Sequence, residues 1–333
     1  MAILYFPAPR ASAPATIEGS TMAQEGPVSS STPDPTQEDP LLISAIRARS
    51  YPGSAFTSIQ ALGVQSGHTN SVVSYLSDGF KVRALMSLPA GPQPADGWPV
   101  VILNHGYVSP ATYQTADSAY ADFITALTGA GYAVIKPDYR GHGQSEGVPS
   151  GGHFSPVYAY DDLNLIASIK QDPIFNKSRI GLLGHSLGGH VSLRTMVVSS
   201  DVKATVMMAG VVGSFYDIFY SWPNSPMGND LPAIVQVTKR DYLAKYGDPR
   251  TNSSFWDGAS ALNYVKDTVS AVQINHDEGD STVPVAFSDH LNVALRAAGK
   301  TVEYHTYPGD DHQFVTNRSA ILSNMVAFYR THL

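Results

Sequence analysis

The chain has 333 residues, 43% hydrophobic and only 15% charged, so it carries enough apolar surface for a large core. Its net charge of −7 at pH 7 argues against a nucleic-acid surface, which needs clustered Lys and Arg. It has no cysteine, which removes disulfides, thiolate nucleophiles and cysteine-ligated metals, and no run of roughly twenty apolar residues that would form a transmembrane helix.

From about Pro7 to Pro40 the chain is rich in Ala, Ser, Thr, Pro, Gln and Glu. Such a stretch has too few large apolar side chains to offset the entropy of ordering. Residues 1–50 are therefore expected to be a flexible tail, followed by one domain over 51–333. The opening Met1-Ala2-Ile3-Leu4-Tyr5-Phe6 is too short for a signal-peptide core and has no basic start. Two explanations stay open: an exported protein whose signal was trimmed or missed, and a cytoplasmic enzyme with an irrelevant tail. The Ser/Thr/Pro composition leans weakly to export.

Structure is expected from Phe56 onwards. Asn70 to Tyr75 and Phe80 to Leu88 read as paired strands around the turn Ser77-Asp78-Gly79. Trp98 to Leu103 reads as a buried strand, and Ser118 to Thr128 as a helix stopped by Gly129 and Gly131. Ala133-Val134-Ile135 is the next strand. The following Gly141, Gly143 and Gly147 do not make a dinucleotide fingerprint. Their spacing differs, and Pro149 and Gly151-Gly152 stand where a phosphate-binding helix would begin. Tyr158 to Lys170 repeats Leu163, Ile166 and Ile169 at helical spacing.

The apolar run Ile180-Gly181-Leu182-Leu183 leads directly into Gly184-His185-Ser186-Leu187-Gly188, and Gly189 to Met196 reads as a helix. This is strand, sharp turn, helix, with a serine at the apex. The glycines allow the close backbone approach such a turn forces. The helix N-terminus favours negative charge developing on a carbonyl oxygen under attack. A serine is a weak nucleophile without a base, so a histidine and an orienting acid are required downstream.

Ala204 to Ala209 reads as a strand. The long stretch after it holds Phe215, Tyr216, Phe219, Tyr220, Trp222, Tyr242, Tyr246, Phe255 and Trp256. Ala271 to His276 is a strand, followed by the loop Asp277-Glu278-Gly279-Asp280-Ser281-Thr282-Val283-Pro284. Thr301 to Tyr307 alternates as a strand and ends in Pro308-Gly309-Asp310-Asp311-His312. A helix from about Ser319 to Thr331 closes the chain. Short strands alternating with helices imply a mostly parallel sheet covered on both faces. Serine, acid and histidine then each sit just past a strand, where sites of such sheets lie.

This order of motifs resembles the serine hydrolases of the α/β-hydrolase superfamily, over roughly Ser74 to the C-terminus. The similarity is greatest to the prolyl-oligopeptidase-like and dienelactone-hydrolase-like catalytic domains. Asn104-His105-Gly106-Tyr107 is similar to the family's oxyanion loop, and Asp138 to Ser145 to the stretch after its next strand. Asp280 followed by Val283-Pro284, and Tyr307-Pro308-Gly309 followed by His312, match its acid and histidine loops. The resemblance implies Ser186 as nucleophile, His312 as base and Asp280 as orienting acid. It implies an oxyanion hole from the backbone N–H groups of Tyr107 and Leu187. It also implies a central sheet with helices on both faces and a small cap insertion, about 211–268.

Asp277 is the rival acid; Asp280 is preferred for its register with Val283-Pro284. Of eleven histidines, only His312 has both loop position and motif. His276 and His305 are expected to be structural. Most cap aromatics should pack the insertion onto the body, with Trp222 expected to face substrate. The Tyr107 ring either flanks the pocket or packs. No cofactor is expected, and no H-E-x-x-H helix suggests a catalytic zinc. The expected substrate is a small-molecule or polymeric carboxylic ester. A short-peptide serine peptidase and a non-catalytic hydrolase-fold binding protein are the alternatives.

Overall fold

The computed structural model describes residues 38–149, 152–222 and 233–333. The tail expected before residue 38 lies outside the described residues. A short helix, α1 (Ile43–Ala48), comes first, then the strands β1 (Thr57–Gln65), β2 (His68–Ser77) and β3 (Phe80–Pro89). The chain continues through β4 (Trp98–Asn104), α2 (Ala121–Gly129), β5 (Ala133–Pro137), α3 (Val157–Gln171), β6 (Phe175–His185), α4 (Leu187–Val198) and β7 (Val202–Met208). Three helices follow: α5 (Phe215–Tyr220), α6 (Ala233–Tyr246) and α7 (Ser253–Ala259). The last elements are β8 (Ala271–Asp277), α8 (Val285–Ala297), β9 (Val302–Tyr307) and α9 (Arg318–His332).

The strands form one sheet in the order β1-β2-β3-β5-β4-β6-β7-β8-β9. Pairing is antiparallel from β1 through β3 to β5 and parallel from β5 to β9. Alternate side chains of each central strand go to opposite faces. Val100, Ile102, Ile180 and Leu182 join the core under α3, α4 and α8. Val101, Leu103, Val134 and Leu183 join the core under α2 and α9. Both faces are thus dry, which explains why these strands read as continuous apolar runs. No helix of the described residues is long and apolar enough to cross a membrane.

Two differences from the sequence reading have physical causes. The boundary expected at residue 51 is too late: Leu41, Ile43 and Ile46 are buried, and Arg47 on α1 donates to the Val197 carbonyl at the end of α4. A six-residue helix is too short to display a period. Strand β1 carries almost no burial pattern, because it is an exposed edge held by backbone pairing with β2.

The insertion after β7 packs its aromatics both on one another and onto the body, where Phe154 meets Phe215, Phe219 and Tyr242 at ring distances of 5.9, 5.3 and 5.5 Å. Ser214 and Asp217 close a capping box at the start of α5. The rings of Phe215 and Phe219 lie 5.0 and 5.2 Å from that of Trp256, and Tyr246 stacks on Phe255 at 4.1 Å.

Candidate active site

Four loops leave the carboxyl ends of β4, β6, β8 and β9. Each carries an expected site residue, because parallel neighbours in register end together: Asn104 lies opposite Gly184, and Asp277 opposite Tyr307.

The β6–α4 turn is held by its backbone. Ser186 sits at φ 54° and ψ −117°, a left-handed conformation unusual for a residue with a side chain. Its N–H donates to the Met208 carbonyl at 3.0 Å, and its carbonyl accepts from Gly189 and Val211. A Cβ on Gly184 would lie 2.5 Å from the Gly188 oxygen, and one on Gly188 would lie 1.9 Å from the Asn104 oxygen. Helix and β4 therefore touch backbone to backbone beneath the serine. Gly188→Ala is expected to cost at least ~3 kcal/mol, since no rotamer change removes a clash with main chain. Urea unfolding at constant pH measures it, and a variant within about 1 kcal/mol of the parent would contradict this packing.

Asp280 and His312 meet directly. His312 Nδ1 lies 2.7 Å from Asp280 Oδ2. Asp280 Oδ1 accepts from the N–H groups of Thr282 and Val283 at 2.8 and 3.0 Å. Burial pushes the Asp280 carboxyl up, but hydrogen bonds from His276, His312 and the Val283 N–H outweigh it. The carboxyl is held well below the usual range and stays charged. His276 Nε2 is 3.3 Å from Asp280 Oδ2, and its ring is fixed by Ser288 and the Val283 carbonyl. Its place at a strand end and the family resemblance marked His276 as structural; the structure makes it a second support of Asp280.

Asp277, the rival acid, has a different task. Its two oxygens accept from the Gly279 and Asp310 N–H groups at 2.7 and 2.8 Å, tying the β8 loop to the β9 loop. Asp310 in turn accepts from the Thr316 and Asn317 N–H groups and so shapes the turn that carries His312.

His185 and Tyr120 connect these pieces, a linkage that no spacing in the sequence announces. Burial, reinforced by the neighbouring His312, lowers the His185 pKa to about 3, so the ring is neutral. Its Nε2 is 3.0 Å from the His312 carbonyl and must donate; its Nδ1 then accepts from the Tyr120 hydroxyl at 2.9 Å. The same hydroxyl oxygen accepts from the Gly106 N–H at 2.9 Å. One chain of hydrogen bonds thus joins the Gly106-Tyr107 loop, the serine turn and the histidine loop. The His185 and His312 rings lie 4.9 Å apart.

The Tyr107 ring is 61% exposed, which removes the packed alternative. The backbone N–H groups of Tyr107 and Leu187 have no acceptor among the described residues. Leu187 opens α4, so its N–H is one of those a helix leaves unpaired. His105 braces the loop, with Nδ1 at 2.7 Å from the Gly106 carbonyl and its ring stacked on Tyr113.

Trp222 differs from expectation. It is 6% exposed, and its indole N–H donates to the Thr282 carbonyl at 2.6 Å. Its ring packs edge-on against His153 and Phe287. The indole N–H is spent on the acid loop, so Trp222 steadies Asp280 from behind.

A family model described as "Serine aminopeptidase, S33" matches residues 98–237. The chain is 25% identical over 248 residues to the uncharacterised peptidase YtmA of Bacillus subtilis, covering 73% of this chain and 85% of that one. It is 24% identical to the uncharacterised peptidase YuxL of the same organism, over 74% of this chain but only 36% of YuxL. Among solved structures, an acetyl xylan esterase from Paenibacillus sp. R4 superposes with TM-score 0.64 and 17% identity, over 87% of this chain and 92% of that one. A puromycin-hydrolysing peptidase of Mycobacterium tuberculosis superposes with TM-score 0.62 and 20% identity, over 79% of this chain and 39% of that one. These structural likenesses establish the fold. The chain thus has the α/β-hydrolase fold, and over residues 98–237 it is similar to the serine aminopeptidase family.

Proposed function

We propose that the protein is a carboxylic ester hydrolase acting through Ser186, His312 and Asp280. The observation that carries this reading is the charged, buried Asp280 bonded to His312 Nδ1, on loops wired to the Ser186 turn. Asp280 holds the proton on Nδ1, which leaves the Nε2 lone pair to take the Ser186 proton as the hydroxyl attacks the ester carbonyl. The N–H groups of Tyr107 and Leu187 stabilise the oxyanion. His312 returns the proton to the departing alcohol. Water then repeats the sequence on the acyl-enzyme and releases the acid.

Ester rather than amide is favoured by the near end-to-end likeness to acetyl xylan esterases. An aminopeptidase must also hold a substrate ammonium, whereas the helix that follows Ser186 buries the cation of Arg194. The peptidase reading is supported by the family model and by YtmA. Hydrolysis of p-nitrophenyl acetate, butyrate and octanoate beside an aminoacyl p-nitroanilide tests the choice. Ester turnover with little anilide cleavage is the expected result; comparable anilide cleavage makes the protein a peptidase. Silence of the folded protein on every substrate favours a binding protein.

Tyr120→Phe is a further test of the same reading. It leaves the Gly106 N–H and His185 Nδ1 without their partner. The expected result is a fall in kcat of roughly tenfold or more, with KM little changed, from misplacement of the oxyanion loop. Unchanged kcat would show that the linkage does no positioning.

A further inference from the structure

Helix α4 carries a charge that the described chain does not answer. Arg194 stands two turns beyond Ser186 and is 1% exposed. None of its three guanidinium nitrogens has a hydrogen-bond partner among the described residues. The guanidinium lies over the Phe215 ring at 5.7 Å. Burial pulls its pKa down to about 10, which leaves it charged at neutral pH.

Two imidazoles beside it are also incomplete. His190 Nδ1 is 3.2 Å from the Val211 carbonyl and donates to it, while its buried Nε2, beside the His153 backbone, has no hydrogen bond of good geometry among the described residues. The His153 ring meets that of His190 at 5.2 Å, and its Nε2 is buried and unpartnered too. Burial first, then the charge of Arg194, keeps both rings neutral. An unpaired guanidinium in a dry interior is among the least favourable arrangements a fold can hold. Two unanswered donors in one place, the Arg194 guanidinium and His153 Nε2–H, call for an acceptor with negative charge, while the neutral His190 ring turns its Nε2 lone pair to the same place. A metal cation is excluded by the guanidinium itself.

We propose that Arg194, His153 and His190 form a binding site for a compact anion, a carboxylate or an ion of similar size. The anion accepts from the guanidinium and from His153 Nε2–H, and its charge favours a second proton on His190 Nε2, which then donates as well. His153 alone of the three keeps partial exposure, so entry passes it. The anion has two sources: a free ion, or the carboxylate at the far end of a bound acyl chain. The second source rests on the ester-hydrolase reading; the first does not. Two helical turns separate the Cα atoms of Ser186 and Arg194 by about 12 Å, which an arginine side chain and a four-carbon acyl arm span together.

The test follows thermal unfolding at fixed pH and ionic strength while chloride, formate, acetate or succinate replaces a bulky sulfonate. A saturable rise in Tm of a few degrees is expected for at least one compact anion, and its absence in Arg194→Met. No saturable rise with any of them, or an equal rise in the Met variant, overturns the proposal. The first titration uses the unaltered chain, so it decides even if the variant folds poorly. The source is separated by p-nitrophenyl hemisuccinate against p-nitrophenyl butyrate, with spontaneous hydrolysis subtracted. A preference in kcat/KM for the hemisuccinate of about tenfold or more, lost in Arg194→Met, assigns the site to a substrate carboxylate. A Tm response without that preference assigns it to a free ion. Silence on both esters counts against the esterase reading and leaves the Tm result to stand by itself.

Discussion

Ser186→Ala is expected to lower kcat on esters by ~10⁵–10⁶ while the protein unfolds at nearly the same temperature. The two halves of this expectation have separate causes. The turn is held by main-chain groups: the Ser186 N–H on Met208, its carbonyl on Gly189 and Val211, and the close contact of Gly188 with Asn104. Alanine keeps the Cβ and the same left-handed conformation, so the backbone has no reason to move. What disappears is the only atom that can form the acyl bond on the proposed mechanism. Residual turnover would come from water held near the Tyr107 and Leu187 N–H groups. Steady-state assay of the variant beside its melting curve measures both halves. Retention of more than about 1% of activity in a folded variant would move the nucleophile elsewhere.

The sequence displayed whatever depends on local spacing. Gly184-His185-Ser186-Leu187-Gly188 showed its turn because steric demand falls on glycines two residues to either side of the serine. The central strands showed as apolar runs because both of their faces are buried. The choice of Asp280 over Asp277 came from spacing to Val283-Pro284, and in the structure it is Asp280 that meets His312. Hidden were contacts that no local pattern announces. Tyr120 reaches Gly106 and His185 from the approach to α2, and His276 reaches Asp280 from the end of β8. Tyr120 is far in sequence from His185, and His276, though only four residues from Asp280, meets it through the turn of the loop rather than through any strand or helix period. Trp222 illustrates the opposite error: an aromatic in a cap was expected to serve substrate, but its N–H was needed by a loop carbonyl. Arg194 reads in the sequence as an ordinary helical arginine, and only burial reveals that its charge is unanswered.

Asp280→Asn should cost ~10⁴ in kcat, out of proportion to an isosteric change. The reason lies in how the carboxylate is shared. Its Oδ1 accepts two backbone N–H groups, from Thr282 and Val283, so an asparagine must put its carbonyl oxygen there. The amide NH₂ is then forced towards His312 Nδ1 and His276 Nε2, where the aspartate presented Oδ2. An amide donates where a carboxylate accepted, so His312 turns Nδ1 into an acceptor and carries its proton on Nε2. In that tautomer Nε2 has no lone pair for the Ser186 proton, and the base is present but wrongly protonated. His276 is affected in the same sense, since its Nε2 already donates to the Val283 carbonyl and would face a second donor. Asp280→Ala removes the acceptor without inverting it and leaves His312 free to choose its tautomer. On this argument the alanine variant is no slower than the asparagine one, although it loses more contacts. Rates of the two variants at pH 8, each normalised to the folded fraction, decide the matter. An asparagine variant within about tenfold of the parent would mean that Asp280 does not set the protonation of His312.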